Sequence, residues 1–184
     1  MNIQSVNNTN YINKNTSFKS KIVPTEFLRK TIDYAIERPA THRKFYDSLI
    51  KILNDGKNDI VKFDYAKGWL LQKILPGAYN ISVNGEKRPW NCFFGNMTIE
   101  GQCNYAVTDF AKDIDYKPAE TKLDKIKKRH DQAWTQLVYL DSSQIGAKKH
   151  EKYMMKKMEY LKGLYYKTLS EEFEKVKKEI FKNK

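Results

Sequence analysis

Three histidines are the side chains of this chain best suited to acid–base or metal chemistry: His42, His130 and His150. An imidazole titrates near neutral pH, so it can accept a proton from a nucleophile or bind a metal ion. His42 precedes Arg43 at the start of a predicted helix, but the sequence places no nucleophile beside it. His130 interrupts an apolar helical stripe, where a polar residue fixes the register of paired helices. Structural roles are therefore favoured, and we predict no catalytic residue.

Neither of two candidate metal groupings has the spacing that a metal site needs. His130 and His150 fall on the two helices of a predicted hairpin, about ten residues or ~15 Å apart along its axis. Asp109, Asp113 and Asp115 form an acidic cluster in a connector, but the glycine and the terminal glutamate of an EF-hand loop are absent. Helix capping and turns account for these aspartates. We predict no metal site and no cofactor.

The two cysteines, Cys92 and Cys103, are predicted to be buried and reduced. The sequence has no Cys-x-x-Cys, so neither a zinc knuckle nor a thioredoxin-like site is indicated. In the predicted sheet Cys103 lies on the strand opposite Cys92, about 13 Å beyond its partner position and out of disulfide reach. Reduced thiols fit a reducing compartment. The N-terminus has no basic start followed by an apolar core, so we expect no secretory signal and a cytoplasmic location.

Sequence motifs of the common enzyme classes are absent. The chain has no Gly-x-Gly-x-x-Gly or Gly-Lys-Ser/Thr loop, no Gly-x-Ser-x-Gly elbow and no His-Glu-x-x-His. Each of these motifs places a nucleophile, a metal or a phosphate-binding backbone at a fixed point of a fold. Their absence leaves open only a rarer kind of enzyme that uses His42 or His130. The sequence therefore favours a protein without catalytic activity.

The net charge of the chain is +12, from 34 basic and 22 acidic residues. Such a charge attracts polyanions through counterion release. Only five of the basic residues are arginine, whose planar fork binds phosphates and bases in bidentate fashion. Lysine, asparagine, isoleucine and tyrosine share AT-rich codons, so a biased genome accounts for the same composition. Nucleic-acid or anionic-membrane binding is thus permitted rather than predicted. The candidate polyanion-binding residues are Lys122, Lys125, Lys128, Arg129, Lys149, Lys152 and Lys156.

Composition divides the chain into a polar tail, an α+β core and a helical C-terminal third. Residues 1–22 are rich in asparagine and lack an apolar pattern, which predicts a flexible tail. Residues 24–56 predict two short helices, because apolar residues recur at helical spacing on both sides of Pro39. The domains that we expect are the tail, a core over 23–117 and a helical hairpin over 118–184 that packs on this core.

An antiparallel sheet is predicted for residues 59–106. Asn84-Gly85 is the strongest hairpin turn signal of the chain, and as a two-residue loop it pairs Val83 with Glu86. Gly95-Asn96 supplies a second such turn. With both turns in place, the apolar residues of neighbouring strands share one face. A further strand upstream is indicated by the alternation of Val61, Phe63 and Tyr65 with polar residues.

The last third of the sequence contains an unbroken heptad pattern over residues 119–140, followed by a second apolar series over 154–180. Pro118 suits the first turn of a helix, so two long helices joined by 141–146 are predicted. Successive steps of four in the second series indicate a stutter, and a capping-box pattern at 168 offers an alternative break. The heptad positions are Ala119, Leu123, Ile126, His130, Ala133, Leu137 and Leu140.

The sequence predicts an α+β protein with two short N-terminal helices, an antiparallel β-meander of about four strands and a long C-terminal αα-hairpin. We predict a non-enzymatic binding or structural protein that engages a protein partner, or a second copy of itself, through the hairpin. The alternative is a nucleic-acid-binding protein that uses the lysine-rich helical surface. No apolar run reaches the length of a membrane span. Since methionine adapts to a partner helix, the predicted partner-binding residues are Met154, Met155, Met158, Tyr160 and Tyr165.

Overall fold

The described part of the chain forms five α-helices and a four-stranded sheet. It is taken from a computed structural model and comprises residues 19–65, 78–88, 98–141, 143 and 145–182. The predicted α+β class is confirmed for these residues. In chain order the elements are β1 (Lys21–Ile22), α1 (Glu26–Glu37), α2 (Arg43–Leu53), β2 (Ile60–Tyr65), β3 (Tyr79–Val83), β4 (Glu86–Lys87), α3 (Ile99–Phe110), α4 (Lys122–Val138) and α5 (Ala147–Phe181), with short 3₁₀ turns at Pro39–Thr41 and Ala111–Asp113.

The two predicted N-terminal helices are present as α1 and α2. Thr25 starts α1, because its hydroxyl accepts a hydrogen bond from the Leu28 amide at 3.2 Å. Pro39 follows the end of α1 and opens the 3₁₀ turn that leads to α2. Each helix buries one apolar face in the core, formed by Phe27, Leu28, Ile32 and Ala35 of α1 and by Phe45, Leu49, Ile52 and Leu53 of α2.

The sheet is mixed, which corrects the predicted antiparallel meander. Its strand order is β1-β2-β3-β4. β2, β3 and β4 are antiparallel neighbours, whereas β1 runs parallel to β2. β1 lies inside residues 1–22, the segment predicted as a flexible tail. Because α1 and α2 form the crossover between β1 and β2, the two strands point the same way. A strand of two residues is too short to show an alternating pattern in the sequence.

The predicted tight turn at Asn84-Gly85 connects β3 to β4. Both residues have positive φ, 53° and 87°, as a type I′ turn requires and as asparagine and glycine tolerate best. Val83 pairs with Glu86 in the predicted register. The Asn84 side chain also accepts a hydrogen bond from the Ile60 amide at 2.8 Å. The turn is therefore tied to β2 as well as to its own strands.

Residues 98–106, predicted as the last strand of the sheet, begin helix α3 instead. Thr98 caps this helix through its hydroxyl, which accepts a hydrogen bond from the Gly101 amide at 3.2 Å. The buried apolar residues of α3 are spaced by three and four, which is helical rather than alternating; they are Cys103, Ala106, Val107 and Phe110. The predicted turn at Gly95-Asn96 and the other cysteine, Cys92, lie outside the described residues.

Helix α4 begins at Lys122, four residues after the predicted start at Pro118. The reason is a capping box formed by Thr121 and Asp124. The Asp124 amide donates to the Thr121 hydroxyl at 3.2 Å, and the Thr121 amide donates to the Asp124 carboxylate at 2.9 Å. These reciprocal bonds satisfy two free backbone amides at once, which a proline cannot do. Ala119, the first predicted heptad position, therefore lies in the connector and is exposed.

Helix α5 is continuous over 35 residues, a length of ~52 Å at the rise of an α-helix. The alternative break near residue 168 is absent, because Thr168 and Leu169 are buried inside the helix. The C-terminal half of α5 completes the hydrophobic core together with α1, α2, α3 and the inner face of the sheet. It contributes Leu169, Phe173, Val176 and Ile180 to that core.

Candidate interaction surface on the helical hairpin

The histidines make packing contacts rather than a reactive cluster. His42 is buried between α1 and α2, with Nδ1 2.7 Å from the Arg38 carbonyl oxygen and its ring edge-on to Tyr34 at 5.5 Å. His130 is half-buried on α4, where Nδ1 lies 3.5 Å from Oδ1 of Asp131. Across the described ranges, no group of three or more His, Cys, Asp or Glu side chains could hold a metal ion. His42 therefore serves the packing of α1 and α2, whereas His150 is exposed on α5.

Cys103 and Asp109 are likewise engaged in local structure. Burial raises the pKa of the Cys103 thiol to about 12, so the reactive thiolate is not formed near neutral pH. Asp109 forms an ion pair with Lys112 at 2.8 Å across one turn of helix. Neither residue presents free reactive chemistry. The remaining candidate for a functional site is the surface of the hairpin.

The C-terminal half of α5 is held by many contacts with the core. Phe173 stacks on Phe45 with ring centroids 5.8 Å apart and meets Tyr46 edge-on at 5.5 Å. Ser170 donates a hydrogen bond from its hydroxyl to the Ile36 carbonyl at 2.8 Å. These contacts join α5 to α1 and α2 through both apolar and polar groups. This half of the helix is therefore an integral part of the core.

Of the described elements, α4 packs along the N-terminal half of α5, and the turn at Ala40 reaches only as far as Leu161 and Lys162. Helix α4 packs on α5 and on no other described element to a comparable extent. Within the described residues, no hydrogen bond or ion pair joins residues 132–160 to the protein outside the hairpin. We call residues 132–160 the arm. Its α5 portion corresponds to about 20 Å of helix, held together by the heptad side chains Ala133, Ala147 and Met154, which are buried.

Arg43 fixes the base of the hairpin to the core. Its guanidinium donates to both carboxylate oxygens of Asp47 at 2.7 and 2.9 Å, to Asp124 at 2.9 Å and to the Tyr165 hydroxyl at 3.4 Å. Burial alone would raise the pKa of Asp124, but its bonds from Thr121 and the charge of Arg43 lower that pKa below its usual value. One side chain of α2 thus holds both helices of the hairpin.

A groove of about 390 Å³ lies between α4 and α5 at the base of the arm. Leu161 forms its apolar floor and is itself buried. Ala40, from the turn between α1 and α2, closes the end nearest the core. The remaining lining residues are Lys127, His130 and Asp131 of α4 and Lys162, Tyr165 and Tyr166 of α5.

The groove shows which sides of α4 and α5 point the same way. Residues three, four or seven positions apart lie on the same side of a helix. Trp134 and Val138 therefore continue, toward the tip of the arm, the side of α4 that carries Asp131. Met155 continues the side of α5 that carries Lys162. We call this side of the hairpin the groove face; it comprises Lys127, Asp131, Trp134, Val138, Met155, Lys162 and Tyr166.

Large apolar side chains that are exposed to solvent are concentrated on the arm. On the groove face, Trp134 is 55% exposed, and Val138 and Met155 are each 57% exposed. Only one such residue of the described chain, Ile60, lies elsewhere. Exposed apolar patches are found at the protein, membrane and ligand interaction sites of folded proteins. The exposed apolar residues of the arm are Trp134, Val138, Tyr139, Ile145, Tyr153, Met155 and Tyr160.

The predicted partner-binding residues differ in their accessibility. Met155 and Tyr160 are exposed, and Met158 is half-buried. Met154 is buried between the two helices, and Tyr165 accepts a hydrogen bond from Arg43. Of the predicted partner-binding residues, Met155 and Tyr160 are therefore the two whose side chains are exposed on the surface of the arm. The seven predicted polyanion-binding residues are all exposed: Lys122, Lys125, Lys128, Arg129, Lys149, Lys152 and Lys156.

Sequence reasoning missed Trp134, Val138, Tyr139 and Ile145. A signal was present, since Asp141 is the single charged residue between 132 and 147 in a chain of which 30% is charged. The heptad pattern predicts the side of α4 that faces α5. It carries no information about the apolar residues on the other sides of that helix.

Comparison with protein-family models, with curated proteins and with solved structures finds no match to this chain. Helices in the described ranges all fall short of the combined length and hydropathy that crossing a membrane requires. Arguments about function therefore depend on the surface of the molecule itself.

Proposed function

We propose that this chain is a non-enzymatic binding protein that engages a protein partner through the groove face of the arm. The observation that supports the proposal is the concentration of exposed Trp134, Val138 and Met155 on one side of the arm, for which the described residues show no hydrogen bond or ion pair to the protein outside the hairpin. Exposed apolar area lowers solubility. Its restriction to a projecting element favours a binding role over an accident of composition.

The groove face suits an amphipathic helix of the partner. Two antiparallel helices leave one shallow channel on each side, and a third helix laid in it forms a three-helix bundle. Trp134 supplies a large rigid anchor of the kind that dominates binding energies, and Met155 adapts to the shape of the partner. Lys127, Asp131 and Lys162 flank the channel with charges of both signs, so specificity would come from charge pairing at the rim.

Site-specific photo-crosslinking tests this proposal. A benzophenone amino acid is placed at Val138 on the groove face, in the cells that produce the protein. The matched control carries the same amino acid at Gln136, an exposed residue on the other side of the same helix. We expect a discrete adduct from position 138 and none, or far less, from position 136. An adduct of twice the chain mass would identify the partner as a second copy.

Two results would contradict the proposal. The first is the absence of any adduct above background at position 138, although the protein is folded and the label is incorporated. The second is the same mixture of adducts at positions 138 and 136, because collisions without a binding site do not distinguish two sides of a helix.

A further inference from the structure

The charges of the hairpin are segregated between its two sides. Between residues 122 and 164 the acidic residues of α4 and α5 are Asp124, Asp131, Glu151 and Glu159. By the spacing of three, four and seven residues, all four lie on the groove face or on its outer margin. The other side of the hairpin therefore carries no carboxylate over this length of the two helices.

That other side is strongly basic. Lys122, Lys125 and Arg129 share one row of α4, and Lys149 and Lys157 lie on the corresponding row of α5. All are exposed. Among the described residues, none of the five has a carboxylate within ion-pair distance. We call this side of the hairpin the basic face; Lys128 and Lys156 lie at its outer edge.

Two tyrosines lie among these charges. Tyr153 is 60% exposed and Tyr160 is 68% exposed. Seven residues separate them, so they share one side of α5 about 10 Å apart along its axis. Lys149 and Lys157 lie one turn before and one turn after Tyr153, and Lys156 lies one turn before Tyr160. The basic face thus alternates cationic and flat aromatic side chains along the helix.

We propose that the basic face binds single-stranded nucleic acid without sequence preference. Unpaired lysines attract the phosphates, and bases stack on exposed aromatic rings, each of which accepts any base. Arg129 is the only arginine of this face, so the bidentate contacts that read individual bases are scarce. The site uses the side of the hairpin opposite the groove face and is independent of the proposed protein partner.

A nucleic acid explains this face better than an anionic membrane does. Membrane-surface helices insert long aliphatic and tryptophan side chains into the bilayer, so a membrane that bound at the basic face would need such side chains on that same face. Here Trp134, Val138 and Met155 lie on the groove face, and the exposed nonpolar groups among the lysines are the rings of Tyr153 and Tyr160. Rings that carry a hydroxyl and stand between cations suit stacking on bases more than insertion into hydrocarbon.

The test measures fluorescence anisotropy of labelled oligothymidine and oligouridine of about 16 nucleotides, titrated with the full chain at several salt concentrations. One variant replaces Lys125, Arg129, Lys149 and Lys157 of the basic face by glutamine. The control variant makes the same change in net charge on the other side, by replacing Lys127, Lys148, Lys152 and Lys162, which are also exposed. Circular dichroism confirms that both variants keep their helices.

We expect the basic-face variant to lose at least about tenfold in affinity and to reduce the salt-dependence slope by about 3, since each phosphate contact to a single strand contributes about 0.7. The control variant should lose less than about threefold, because only long-range attraction is weakened. The double variant Tyr153→Ser/Tyr160→Ser should bind the oligonucleotides about tenfold more weakly than the parent chain, while the salt-dependence slope stays unchanged.

Three results would overturn the proposal. One is no binding to either oligonucleotide at low salt. Another is an equal loss in the two charge variants, which would assign any binding to net charge alone. The third is tighter binding of the parent chain to phosphatidylserine vesicles than to the oligonucleotides, with that vesicle binding abolished in the basic-face variant; this would assign the face to a membrane. Comparison of oligothymidine with oligouridine distinguishes DNA from RNA as the preferred strand.

Discussion

The two halves of α5 belong to one continuous helix but have opposite surroundings. In the C-terminal half, Leu169 and Phe173 are buried against α1 and α2. In the N-terminal half, Met155 and Tyr160 are exposed, and α4 is the described helix that covers one side. Both halves are rich in apolar residues, so composition does not distinguish them. The difference shows that apolar residues on this helix are buried where the core reaches them and remain exposed where it does not.

The same contrast holds for the charges. At the base of the hairpin Arg43 is neutralised by Asp47 and Asp124 within 3 Å. Along the arm the lysines of the basic face have no such partners in the described residues. The ion pairs of Arg43 thus hold the fold together, whereas the basic face carries lysines with no carboxylate among them.

The largest effect on stability is expected in the core half of α5. Phe173→Ala leaves a cavity between Phe45 and Tyr46 and should lower the free energy of unfolding by about 3–5 kcal/mol. The matched change on the arm, Tyr160→Ala, should alter it by no more than about 0.5 kcal/mol. Urea denaturation followed by circular dichroism measures both. Equal losses in the two variants would mean that the arm also belongs to the core.

A smaller loss is expected at the base of the arm. Arg43→Gln removes the bonds to Asp47, Asp124 and Tyr165 and should cost about 1–2 kcal/mol, since the partly exposed charges are screened by solvent. Hydrogen exchange should become faster in the first turns of α4, whose capping residue Asp124 loses its cation. Faster exchange spread evenly over α1 and α2 instead would contradict the assignment of Arg43 to the hairpin base.

The sequence predicts those parts of the fold that are determined by residues close together in the chain. The Asn84-Gly85 turn and the pairing of α4 with α5 follow from residues close in the chain or from a regular period. The strand at Lys21–Ile22 depends on a pairing partner about forty residues away. The sequence predicts a strand at residues 98–106, where the structure has the start of α3, because short apolar runs fit either a strand or a helix.

The exposure of the arm is harder still to predict. The heptad pattern identifies the side on which α4 and α5 meet, and the structure confirms that Leu123, Ile126 and Ala133 are buried there. It does not say where along α5 the core ends. That limit is set by α1, α2 and the turn at Ala40, which are distant in sequence. The scarcity of charged residues between 132 and 147 sets Trp134 and Val138 apart in the sequence, but it does not separate a covered side of the helix from an open one.

A modest loss of stability at high pH is expected from Tyr46, which packs against Phe173 of the core half of α5. Burial, and then the negative charge of Glu172, raise the pKa of Tyr46 to about 12, against about 10 for an unfolded chain. The contribution of Tyr46 to the free energy of unfolding is complete below pH ~10 and declines as the pH rises toward ~12, because its hydroxyl ionises first in the unfolded state. Tyr46→Phe should make the decline shallower, whereas Tyr160→Phe on the arm should leave it unchanged.

A small effect on stability is also expected on the groove face itself. Trp134→Ser combined with Met155→Ser replaces two exposed side chains and should change the free energy of unfolding by less than about 1 kcal/mol. Thermal and urea denaturation of the double variant check this directly. A loss comparable to that of Phe173→Ala would show that these side chains stabilise the hairpin rather than meet a partner.

The proposed binding surface consists of the exposed apolar residues of the groove face. Its most direct test is the yield of the photo-crosslinked adduct at Val138 in the Trp134→Ser/Met155→Ser double variant, relative to the parent chain. We expect the adduct to be lost while the protein stays folded, because both anchors of the groove face are gone. An unchanged yield of the same adduct would contradict the proposal.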